Sequence, residues 1–111
     1  MAFGGWQEEF DFAFPPDVVF AHLVAVLRHS GCELDSTDPA CRGVVAYRPD
    51  VFAFSFIGTA RVAAAVDAVG SDAARVIIES APAYQPMLLA HYWHRGHIRR
   101  LMNALKQSLD A

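Results

Sequence analysis

The C-terminal segment limits the fold more than any other stretch of this sequence. At the ~100° step of an α-helix, Met87, His91, His94, Ile98, Met102, Leu105 and Leu109 fall within about 40° of one line, an apolar stripe that something must cover. Gly96 offers a later start for that helix, which would take His91 off the stripe. The chain's beginning repeats with a period of two instead. Residues 6–14 read Trp-Gln-Glu-Glu-Phe-Asp-Phe-Ala-Phe, so Phe10, Phe12 and Phe14 alternate with Glu9, Asp11 and Ala13 as in a half-buried strand. Pro15-Pro16-Asp17 then opens a helix that runs to about Ser30, with Gly31 as its C′ residue and Val19/Phe20, Leu23 and Val26/Leu27 as its inward stripe.

Short strands fill the middle. Glu33–Thr37 and Gly43–Arg48 flank a turn at Asp38-Pro39, and Pro49-Asp50 breaks the chain again. Residues 51–58 alternate Phe52, Phe54 and Phe56, and Gly58-Thr59 bends the chain before a run over Arg61–Val69. After the Gly70-Ser71-Asp72 turn comes Ala74–Ser80, with Val76 and Ile78 on one face and Arg75 and Glu79 on the other. The order is β-α-β-β-β-β-α, with one more strand if residues 51–58 form their own. This is an α+β fold: an antiparallel sheet of about four to six strands, with the C-terminal helix across one face and the first helix near the same side. At 111 residues with 54% hydrophobic content, residues 1–111 make a single domain with a core that needs no metal or disulfide.

Charge and cysteine usage narrow the function classes. The net charge of −3 excludes a nucleic-acid footprint, although the charge is uneven: residues 1–80 carry eleven acids against five bases, residues 81–111 one against four. Those four, Arg95, Arg99, Arg100 and Lys106, read first as a solvated helix face. Cys32 and Cys41 flank the Asp38 hairpin, where a tight turn pairs Cys32 with a residue near Tyr47 and leaves both thiols reduced. Their spacing is not that of a zinc pair. The N-terminus lacks the layout of a signal peptide, and no apolar run reaches the ~20 residues of a membrane helix. The expectation is a soluble cytoplasmic protein with neither nucleic acid nor membrane as partner.

Strand, helix, several antiparallel strands and a long C-terminal helix is the order of helix-grip folds. The stretch Phe-Ala-Phe-Ser-Phe-Ile-Gly-Thr-Ala-Arg-Val-Ala-Ala-Ala-Val, the Gly-Ser-Asp turn, Val-Ile-Ile-Glu-Ser-Ala-Pro and Trp-His-Arg-Gly-His-Ile-Arg-Arg-Leu resemble small bacterial domains of that shape, in the START-like and Bet v 1-like group. The resemblance implies a fold and not a reaction.

Three function classes follow from the residues. A protein-interaction or oligomerising module, including a homo-oligomer, leads, because Trp6, Leu89, Tyr92 and Trp93 fall outside the core stripes and Leu89 and Trp93 share the helix face opposite the core. Next comes a binding module for a small apolar or aromatic ligand between the C-terminal helix and the sheet. Its walls are Phe52, Phe54 and Phe56 or Phe10, Phe12 and Phe14, whichever triplet faces inward, and His91 and His94 supply the polar contacts. Third is a START-like enzyme of unknown reaction. Ser55, Ser71 and Ser80 lack a nucleophile elbow, no phosphate loop is present, and no cofactor motif appears. In His91-x-x-His94-x-x-His97 only two imidazoles converge, since His97 sits about 100° from Ile98, so no metal site is expected. Ala60, Ala63, Ala64, Ala65 and Ala68 either let a helix sit close to the sheet or leave volume beneath it.

Overall fold

Antiparallel pairing organises the strands of the described residues. The structure, a computed structural model, describes residues 5–49, 59–83 and 90–111, with side chains from Tyr92 onward in the last segment. Phe52, Phe54, Phe56 and Leu89, and the side chain of His91, lie outside the described residues. The elements are β1 (Trp6–Phe12), α1 (Pro16–His29), β2 (Glu33–Asp38), β3 (Gly43–Arg48), β4 (Ala60–Gly70), β5 (Ala73–Pro82) and α2 (Ala90–Asp110). Their five strands form one sheet in the order β1-β5-β4-β3-β2, every neighbouring pair antiparallel. The expected order is therefore the observed one. Gly96 is interior to α2, so the helix does not start there.

Local chemistry explains the boundaries. Pro16 stands at the start of α1, where its missing N–H costs nothing, and Asp17 complements the dipole of the first turn. At the other end Gly31 takes φ +86°, and the Cys32 and Gly31 amides donate to the Leu27 and Arg28 carbonyls at 3.1 and 3.3 Å, a Schellman closure. The Asp38 carboxylate accepts from the Ala40 and Cys41 amides at 3.2 and 3.3 Å and shapes the β2–β3 turn. From that hairpin Arg42 Nε donates to Asp17 at 2.7 Å, tying it to α1. Glu33 pairs with Tyr47, as a tight hairpin requires, and both cysteines are free.

Both helices cover one face of the sheet. Val19, Leu23 and Leu27 of α1, Val62, Val66, Val76 and Ile78 of the strands, and Ile98, Leu101 and Leu105 of α2 are all buried in one cluster. The alanines of β4 split by the strand's alternation: Ala60 and Ala64 are buried on the inward face, whereas Ala63 and Ala65 lie on the other face beside a shallow hollow of about 610 Å³. That hollow has no residue of α1 or α2 in its lining, so it is not volume left beneath a helix. His22 Nδ1 and Ser108 Oγ, 2.7 Å apart, join the two helices across their contact.

Candidate functional site

Period-two alternation carries one polar residue into the core. In β5, Ala74, Val76 and Ile78 face inward, and Ser80 follows in phase with no exposed surface. Above it α2 presents His94 and His97, both fully buried. Ser80 Oγ lies 2.6 Å from His94 Nδ1 and 3.2 Å from His97 Nδ1, so one hydroxyl serves two imidazoles. Among the described residues neither Nε2 atom has a hydrogen-bond partner.

Protonation follows from this environment. Burial pushes His94 down to about 4, and His97 to about 3, where the guanidinium groups of Arg48 and Arg100 and the neighbouring His94 add to burial. Both rings are neutral at physiological pH. A hydroxyl has a single proton to donate, so at most one imidazole receives it through Nδ1 and the other must itself donate an Nδ1–H to Ser80. That second ring, being neutral, carries a bare Nε2 lone pair. The corner therefore always offers at least one buried acceptor. If the shorter contact is Ser80 donating to His94, it offers an acceptor on His97 and an N–H donor on His94.

Trp93 frames the pair, with its ring centroid 4.7 Å from that of His97 and 5.0 Å from that of His94. Arg48 Cζ stands 5.8 Å from the Trp93 ring centre and Arg100 Cζ 6.0 Å. Arg48 continues the inward phase of the buried Val44 and Ala46, so it is an arginine on the core side of the sheet. Among the described residues no group of three metal-ligating side chains occurs, and the two guanidinium groups oppose a cation beside these imidazoles.

Several sequence expectations change here. His97 belongs to the buried arc instead of standing off it, because Leu101 is buried too and turns the centre of the arc toward His97. Trp93, one further step round, is half-buried against the histidines and does not lie on a face opposite the core. Trp6 is also half-buried: it shares the inward phase of Phe10 and Phe12, packs on the core, donates to Glu8 at 2.6 Å and lies 5.3 Å under Arg95. Tyr92 is exposed, at 63%. Phe10, Phe12 and Phe14 do face inward, yet they line a groove of about 520 Å³ with Met102, Arg99 and Lys106, roughly 12 Å along α2 from His94. The aromatic triplet and His94 are two places and not one. Ser80, which has no nucleophile motif around it in the sequence, is the hub of the polar cluster, and its phase with Val76 and Ile78 is the sequence signal for that inward position.

No family model and no curated protein matches the sequence. Solved structures do match the fold. The di-domain ARO/CYC BexL from the BE-7585A biosynthetic pathway superimposes with a TM-score of 0.69 at 13% identity, over 96% of this chain and 46% of that one, so this chain spans about half of BexL. Ara h 8.0201 matches with a TM-score of 0.65 at 12% identity over 96% of this chain and 98% of its own. The Zhui aromatase/cyclase from Streptomyces sp. R1128 matches at 0.61 and 11% identity, over 94% and 92%. The architecture is that of a helix-grip domain.

Proposed function

We propose that this helix-grip domain binds a small apolar or aromatic molecule between α2 and the sheet, with His94 and His97 as its polar contacts. The observation that carries this is the pair of fully buried imidazoles whose Nε2 atoms lack a partner among the described residues. Buried nitrogen without a hydrogen bond costs about 1–3 kcal/mol per group, and native folds retain it where something else completes the bond. A ligand that offers a hydrogen-bond donor and an apolar body does so. From the sequence, Phe52, Phe54, Phe56 and His91 are further candidates for this ligand.

An interaction module ranks second. Of the four residues behind it, Trp6 and Trp93 are packed and Tyr92 is exposed. The deciding experiment is a titration with N-phenyl-1-naphthylamine, a neutral apolar fluorophore with one N–H. Saturable binding at one site is expected, weakened about tenfold in a folded His97→Phe variant. Absence of saturable binding in a sample that sediments as a dimer overturns the ligand function in favour of self-association.

A further inference from the structure

We infer that the molecule bound at this corner carries an anionic oxygen group, a carboxylate or a comparably acidic hydroxyl, on its aromatic body, seated against Arg48. The inference rests on the ligand function proposed above and narrows its chemistry. Arg48 stands in phase with buried Val44 and Ala46, half-buried itself, at the end of β3. An arginine placed on the core side of a sheet normally meets a carboxylate, because a half-desolvated charge must be compensated. Here the ion pairs among the described residues go elsewhere: Arg42 to Asp17, Arg75 to Asp11 and Arg99 to Glu8. Arg48 Cζ instead stands over the Trp93 ring at 5.8 Å, and its fork of N–H donors has no acceptor among the described residues.

Charge around it points the same way. Arg100 shares the Trp93 ring and Arg95 lies over Trp6, so three arginines gather at the end of the sheet where Ser80, His94 and His97 meet. Glu8 lies at the same end, where it accepts from Trp6 and Arg99. Neutral imidazoles add hydrogen bonds but no charge. An anion is therefore attracted by the guanidinium groups and can be held bidentately by Arg48, its aromatic body stacks toward Trp93, and a neighbouring hydroxyl donates to the bare Nε2.

Calorimetric titration with three probes of one shape tests this: 3-hydroxy-2-naphthoate, 2-naphthol and 2-naphthylmethylammonium. The naphthoate is expected to bind about tenfold or more tighter than naphthol, with the cation weakest. In Arg48→Gln the affinity for naphthoate falls toward that for naphthol, and the ratio of the two approaches one. Should that variant fail to fold, the wild-type preference for naphthoate over naphthol must still shrink as salt is raised, because it is electrostatic. Equal affinity of wild type for naphthoate and naphthol, or a preference that survives both Arg48→Gln and salt, overturns the inference and leaves the ligand function standing. Failure of all three to bind overturns the ligand function itself.

Discussion

His94 and His97 are neutral in the fold because burial disfavours their charged forms, with Arg48, Arg100 and His94 adding to it at His97, and that ties stability to pH. Unfolded, each imidazole titrates near its ordinary value of 6.5; folded, burial holds them at about 4 and about 3. Between those limits the unfolded chain binds more protons than the folded one, so stability declines as pH falls through about 6.5, by about 1.4 kcal/mol per pH unit for each histidine once the window is fully entered. Asp11, held low by the Arg75 guanidinium, acts only at more acidic pH. The urea midpoint should therefore drop between about pH 7 and about pH 5, and the drop should be smaller in His97→Phe. A midpoint constant over that range would mean that the imidazoles are not desolvated.

At the scale of elements, α1 shows how short-range chemistry sets a boundary. Gly31 closes the helix at φ +86° with nothing within 4 Å of where a Cβ would stand, so Gly31→Ala tests backbone strain alone. It should cost about 1–2 kcal/mol in chemical denaturation, and a neutral result would show that the Schellman turn relaxes without loss. Such boundaries were legible in the sequence because they depend on neighbours in the chain: Pro16 and Gly31 mark α1, and alternation marks β1, β3, β4 and β5. Rotation of α2 about its axis was not. It depends on what lies beneath the helix, and a stripe centred on Ile98 misses that Leu101 and His97 are buried as well. Trp6 packs on the core for a related reason. Its strand phase matched Phe10, but only the cover given by α2 makes the inward face of β1 a packed one. Ser80 was legible as an inward residue and illegible as a hub, since its two partners lie 14 and 17 positions away on another element.

Across the whole molecule, one cluster runs from Val19 of α1 through Val62 and Ile78 of the sheet to Leu105 of α2, so the polar corner and the far end of α2 share a core. Trp6 and Trp93 both lie at the end of the sheet near Ser80, and their emission reports that end. Circular dichroism in the far ultraviolet reports the two helices. Leu105 is fully buried and roughly 12 Å along α2 from His97, outside every contact of the polar cluster. Leu105→Ala should destabilise the chain by about 2–5 kcal/mol through lost contact and cavity. If the molecule is one cooperative unit, the fluorescence and dichroism transitions coincide in the wild type, and the substitution moves both midpoints together. The distant cavity then loosens the histidine corner as much as the helix. A fluorescence transition that precedes the helical one, and that Leu105→Ala leaves in place, would divide the chain. It would make the corner of Ser80, His94 and His97 a separately opening unit, whose stability a ligand there would raise without raising that of the rest.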